Sequence, residues 1–259
     1  MRALLPLITL ATLVGCDSHV NVFSLDDDRQ LGADLHAQIL STPNEYPLLA
    51  REDYPEAYGH LDGVMDQILA SGAVRHADDF EWQAYIIHDD STLNAFAAPG
   101  GYLYFYTGLI NYLEREDHFA GVFAHEAAHV DRRHATVQLT NAYGLSTLVD
   151  LLVGENTGIL GDVAESLVSL QFSRAHEFEA DEYSVRFLCP TEYAADGTAG
   201  FFEKLLEESG EGVSVPAFLS THPDSQERVD RVHAWAEELG CTVEPSDNAD
   251  WAAFQAALP

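Results

Sequence analysis

Phe119-Ala120-Gly121-Val122-Phe123-Ala124-His125-Glu126-Ala127-Ala128-His129 decides how this chain is read. Phe119, Val122, Phe123 and Ala127 recur at helical spacing, and Asp117 just ahead of them suits an N-cap. On such a helix His125 and His129 are four residues apart and stand one above the other, so both imidazoles can reach one metal ion. Glu126 is turned by about 100° from His125 and can reach a water held by that ion without binding the ion itself. Ala127 and Ala128 keep the helix surface beside the site small. Zinc suits this donor set, because it accepts imidazole and carboxylate in a tetrahedral shell with a place left open for water. Two histidines and a glutamate can also sit silently on a helix, so a third ligand is required.

Ser173-Arg174-Ala175-His176-Glu177-Phe178-Glu179-Ala180-Asp181 supplies it. Glu177 and Asp181 are again i and i+4. Glu177 is therefore the candidate third ligand, and Asp181 the carboxylate that accepts a hydrogen bond from the far nitrogen of a ligating histidine and fixes its tautomer. Glu179 lies off that face and reads as a solvated acidic residue. His134 falls about 140° beyond His129 on a continuous helix and reads as a poor ligand. His36, His60, His118 and His176 read as packing or surface residues.

The two motifs together resemble the M48 family of zinc metallopeptidases, in particular its periplasmic and lipoprotein branch, which acts in outer-membrane protein quality control. Asn94-Ala95-Phe96-Ala97-Ala98-Pro99-Gly100-Gly101 with Thr107-Gly108-Leu109, and Thr221-His222-Pro223 with Arg228-Val229, agree with it, so that the likeness runs from about residue 94 to 234. It implies one Zn2+ per chain on His125, His129 and Glu177, supported by Asp181. His222 is implied to occupy the open zinc position at rest or to steady the oxyanion, and Arg228 to orient its loop. The expected reaction is peptide-bond hydrolysis with Glu126 activating the water. A lipid-anchored, zinc-containing chaperone or assembly factor with little proteolytic turnover is the competing reading.

Outward from these motifs, the expected fold is α+β: a mainly helical, zincin-like body with a small antiparallel sheet beside the HExxH helix. Trp82 to Ile87 and Tyr102 to Tyr106 read as strands, and Asn94 to Gly101 as a turn-rich connection between them. An exposed strand in the segment Asn94 to Tyr106 could pair with an extended peptide, with Asn94, Ala95 and Phe96 along it and Gly100 and Gly101 admitting close backbone approach. Residues 27–241 are expected to form the peptidase domain and 242–259 a C-terminal tail, with Trp251 to Leu258 as a short docking element.

The first residues carry one charge, Arg2, and then an apolar run too short to span a bilayer permanently, which reads as an export signal. Leu13-Val14-Gly15-Cys16 resembles a bacterial lipobox. That likeness implies cleavage of residues 1–15, lipidation of Cys16, a tether over 16–26 and a periplasm-facing lipoprotein of the bacterial envelope. The expected partners are unfolded or misassembled envelope polypeptides, the membrane through the lipid, and envelope assembly machinery. With 43 acidic against 12 basic residues, a net charge of −31 and Lys204 as the only lysine, nucleic acid and anionic lipid headgroups are excluded as electrostatic partners. The same excess suits a saline habitat. Of the three cysteines, Cys189 and Cys241 remain as a pair that an oxidising compartment would allow to bridge.

Overall fold

The computed structural model describes residues 21–142, 171–208, 217–223 and 226–259. The export signal, Cys16 and most of the apolar passage 141–170 lie outside the described residues. Among the described residues, helices α1 Leu25–Ser41, α2 Pro55–Ala70, α3 Thr107–Tyr112, α4 Glu116–Asp131, α5 Arg174–Leu188, α6 Gly197–Glu208, α7 Ala217–Thr221, α8 Gln226–Leu239 and α9 Ala249–Ala256 frame a three-stranded sheet. Residues 134–142 are also helical. None of the described helices is long and apolar enough to cross a membrane.

Local sequence explains where the first helices begin. Ser24 caps α1 through a reciprocal pair with Asp27, and three aspartates occupy its first turn, where the helix dipole favours negative charge. Leu31, Leu35 and Ile39 then bury one stripe. Pro55 opens α2, where a missing N–H costs nothing. The motif helix α4 starts without a side-chain cap, contrary to the expectation for Asp117. That carboxylate is buried and turned sideways. It accepts the N–H groups of Ala194 and Ser246 and a hydrogen bond from Arg115, tying distant loops to the start of α4.

The sheet corrects the expected antiparallel arrangement. Strands β1 Gln83–Ile87, β2 Ala95–Ala98 and β3 Tyr102–Tyr106 lie in the order β1-β3-β2, with β1 and β3 parallel and β2 antiparallel to β3. Reading 94–101 as a connection makes the two aromatic strands sequential, for which a turn-rich link favours the antiparallel arrangement. The connection itself holds a strand, so the chain reverses twice and β3 runs with β1. Ala-Phe-Ala-Ala has little β-propensity of its own; its extended form comes from pairing residue for residue with Tyr102–Phe105 and from burial.

Gly100 and Gly101, with φ of 78° and 106°, make the tight return between β2 and β3. The space beside them is taken by the chain itself: a Cβ on Gly100 would stand 2.9 Å from Arg29 Cα, and one on Gly101 3.1 Å from Trp82 Cα. They admit α1 and the approach to β1, not a peptide from outside. The main core gathers α2, the inner face of the sheet, α4, α5, α6 and α8. Trp251 and Phe254 of α9 close it by packing on Phe119, so residues beyond 242 also belong to this body. Cys189 and Cys241 are disulfide-bonded and join the end of α5 to the end of α8.

Candidate metal centre

The core buries α4 almost completely, and its two motif histidines, His125 and His129, face α5 and the chain entering α8. His125, His129, Glu177 and His222 are each buried, and one donor atom from each lies within 4.8 Å of the others. His125 Nε2 is 3.1 Å from His129 Nε2 and 3.4 Å from His222 Nδ1, while Glu177 Oε1 is 3.1 Å from His222 Nδ1. Ser173 caps α5 by accepting the N–H of His176, which sets Glu177 in the first turn and turns it inward. His222 follows the short α7; its N–H bonds to Phe218 O and its ring stacks on Phe218 at 4.5 Å.

Asp181 and Arg228 stand behind this cluster. Asp181 Oδ1 is 3.0 Å from His125 Nδ1, the ring nitrogen turned away from the other donors. Arg228 grips Asp181 with two bonds of 2.7 Å, reaches Glu177 Oε2 at 2.8 Å and donates to Pro223 O, which anchors the loop after His222. The electrostatics follow from these contacts. Burial alone would raise the carboxyl of Glu177, but His222, His125 and Arg228 together hold it well below the ordinary range. Burial works against Asp181 in the same way and Arg228 overcomes it. His125 would be lowered by burial, yet the carboxylates of Asp181 and Glu177 raise it to about 9.

Glu126 is the exception. It is 1% exposed, neither of its oxygens accepts a hydrogen bond from the described residues, and His222 Nε2 stands 3.4 Å from Oε1. Burial raises its carboxyl. An unpaired buried carboxylate is costly and persists where something else compensates it. Glu126, Glu177 and Asp181 bring three carboxylates together against, among the described residues, one guanidinium, that of Arg228. A divalent ion closes that deficit, and three imidazoles with a carboxylate are the donor set zinc prefers. The residues therefore fit one zinc ion.

The expected residues fall into place unevenly. The four donors, Glu126, Asp181 and Arg228 converge. The β2 segment lies on α4, but not as an exposed strand: Asn94, Ala95 and Phe96 are buried, with Phe96 stacked on Tyr104 at 4.6 Å. The outer backbone edge of β2 pairs with no other strand among the described residues. Glu179 is not a freely solvated acid; it binds Arg132 and His134. Sequence reasoning also overlooked Phe172, whose ring stacks on His129 at 4.0 Å. Its signal was adjacency to the Ser173 cap of the ligand helix.

A buried His-Glu-x-x-His helix, a glutamate from the next ligand helix and a supporting aspartate define a zinc centre of the HExxH metallopeptidase class. The sequence matches the model of peptidase family M48 over residues 55–236, which embraces every residue of this centre, and the chain belongs to that family. It is 28% identical over 231 residues to the mitochondrial metalloendopeptidase OMA1 of Schizosaccharomyces pombe, covering 88% of this chain and 66% of that protein. It is 27% identical over 188 residues to the beta-barrel assembly-enhancing protease of Escherichia coli, covering 65% of this chain and 38% of the relative. The metalloprotease YcaL of Escherichia coli is 28% identical over 156 residues, with 57% and 60% covered. The chain thus spans less than two thirds of the length of these relatives.

Proposed function

We propose that the chain is a zinc-dependent endopeptidase acting on misfolded or misassembled polypeptides of the bacterial cell envelope, to which a lipid on Cys16 holds it. The observation that carries the hydrolytic reading is Glu126, a buried carboxylate without a hydrogen-bond partner among the described residues, beside four converging metal donors. A zinc ion held by His125, His129 and Glu177 would supply Lewis-acid polarisation of the scissile carbonyl and acidify a water for attack near neutral pH. Glu126 takes the proton from the attacking water and passes it to the leaving amine; its raised affinity for a proton suits both transfers. His222 Nε2, on the Glu126 side of the site, is the donor placed to steady the oxyanion. Asp181 fixes the ring of His125, and Arg228 holds Asp181, Glu177 and the His222 loop in one geometry.

Substrate choice is read from the edge of β2. A backbone edge beside the metal helix favours an extended peptide held by main-chain hydrogen bonds, with little demand on its side chains, and unfolded polypeptides offer such segments. The name of the beta-barrel assembly-enhancing relative supports an envelope substrate. The test is product mapping on a denatured outer-membrane β-barrel protein, with zinc content measured in parallel. Wild type should cleave it at several sites. Glu126→Gln should keep its zinc and lose about 10²–10⁴-fold in rate. A Glu126→Gln protein that cleaves at the wild-type rate overturns the assignment of the base, and a zinc-loaded wild type that leaves the denatured protein intact overturns the activity.

A further inference from the structure

We infer that His134 and Glu179 form a positioning relay for the metal ligand His129, the counterpart of what Asp181 does for His125; the inference rests on the zinc reading of the site. The helix α4 ends in a turn closed by Arg132 N–H to Ala128 O and Arg133 N–H to Val130 O. Arg133 there has φ of 60°, a left-handed conformation that a non-glycine residue adopts only where its surroundings hold it. Its side chain is tied to the buried carboxylate of Asp28 and to the carbonyls of Phe23 and Ser24, so α1 holds the turn. The turn breaks the rotation of the helix and swings His134 back, placing its Nδ1 3.0 Å from His129 Nδ1.

Two ring nitrogens that face each other at this distance share one proton, and the rest of the site decides which ring owns it. His129 Nε2 points into the donor cluster, 3.1 Å from His125 Nε2, and must offer a lone pair to bind metal. Its proton is therefore on Nδ1, which donates to His134 Nδ1. His134 then carries its own proton on Nε2 and donates to Glu179 Oε2 at 3.1 Å. Arg132 Nε donates to the other oxygen of Glu179 at 2.8 Å, and its guanidinium lies over the ring of Tyr183.

Every bond in the chain runs the same way, from ligand to carboxylate. The rings cannot drift: His134 is 2% exposed and stacks on His176 at 4.5 Å, and His129 is pinned by Phe172. The two ligand histidines are thus supported differently, His125 directly by a buried anion and His129 through a neutral imidazole by an anion near the surface. Groups that orient a ligating histidine in this manner typically contribute 10–100-fold to metal affinity.

The experiment measures zinc affinity of the full chain at neutral pH by competition with a chromophoric chelator, in wild type, His134→Phe, His134→Asn and Glu179→Ala. Phenylalanine keeps the ring stack on His176 and deletes the acceptor; asparagine restores an acceptor atom near the place of Nδ1. His134→Phe should bind zinc about 10–100-fold more weakly, with an altered visible spectrum when loaded with cobalt(II). His134→Asn should recover most of the affinity and the wild-type spectrum. Glu179→Ala, at the partly exposed end of the relay, should weaken zinc binding less than His134→Phe and provides the reading if the phenylalanine variant does not fold. Wild-type affinity in His134→Phe or in Glu179→Ala, or an asparagine variant as weak as the phenylalanine one, overturns the relay. A wild-type protein that takes up no zinc overturns the metal reading itself, and the relay with it.

Discussion

Arg228→Met removes the guanidinium that neutralises the carboxylates of Glu177 and Asp181. Arg228 is 1% exposed, binds both oxygens of Asp181 and one of Glu177, and packs its guanidinium 4.2 Å from the centre of the Phe202 ring. Methionine replaces the stem and the contact with Phe202 but leaves the buried carboxylates of Glu177 and Asp181 without their guanidinium partner. Removing one partner of a buried ion pair costs about 3–5 kcal/mol, because water cannot reach the charge left behind. For a domain of this size that corresponds to a drop of about 6–20 °C in melting temperature. Urea unfolding of metal-free protein with its disulfide intact, followed by fluorescence of the three tryptophans, measures the loss directly. Asp181→Leu and the double variant complete a cycle. The double variant should be less damaged than the sum of the two, by a coupling of about 2 kcal/mol or more, since each change relieves the other's unpaired charge. A loss below about 1 kcal/mol for Arg228→Met, with no coupling to Asp181, would refute the claim that this pair sustains the site.

Gly121→Ala should be strongly destabilising although it adds one methyl group to a good helix. A Cβ there would lie 2.2 Å from Thr198 N and 2.3 Å from Gly197 C, backbone atoms that cannot step aside, so α4 and α6 must separate. A loss of about 1–3 kcal/mol or more is expected in thermal unfolding, and an unchanged midpoint would show that the helices do not cross this closely. Stability should also pass through a maximum on the acid side of neutrality. Burial raises the carboxyls of Asp28 and Asp131, so the folded state binds protons before the unfolded chain does and is stabilised as pH falls toward the ordinary carboxylate range. Asp117 and Glu179 are held low by their partners, Glu179 at about 2; their contribution is full above the ordinary carboxylate range and is lost as pH falls through their own lowered values. Relief of a net charge of −31 acts in the same direction as the first pair. Melting midpoints of metal-free protein at fixed salt should therefore rise from pH 8 to about pH 5 and fall below about pH 4. A monotonic profile would sink this account.

What the sequence made legible follows one rule: features governed by the period of a single helix were readable. His125, Glu126 and His129 share α4, Glu177 and Asp181 share α5, and in both cases 3.6 residues per turn suffices to place the groups. Features that depend on a partner segment were not. Ala95–Ala98 is a strand because Tyr102–Phe105 pairs with it and the core covers it, and nothing in Ala-Phe-Ala-Ala announces that. Asp117 suits an N-cap by local chemistry, but the unpaired N–H groups of Ala194 and Ser246, 77 and 129 residues away, compete for its carboxylate and win.

His134 and Glu179 show where periodic reasoning itself breaks. The count that carries His134 about 140° away from the site assumes that α4 continues through it. Arg133 interrupts the helix, and an arginine in a left-handed turn is a position where the local code would ask for glycine or asparagine. The conformation is held from outside, by Asp28 and two carbonyls more than a hundred residues earlier in the chain. A helix end that is set by tertiary contacts hides whatever lies beyond it from any reading of spacing. The residue hidden here is the one against which the second zinc ligand leans, so the N-terminal helix, silent by its own motifs, bears on the geometry of the centre through a single turn.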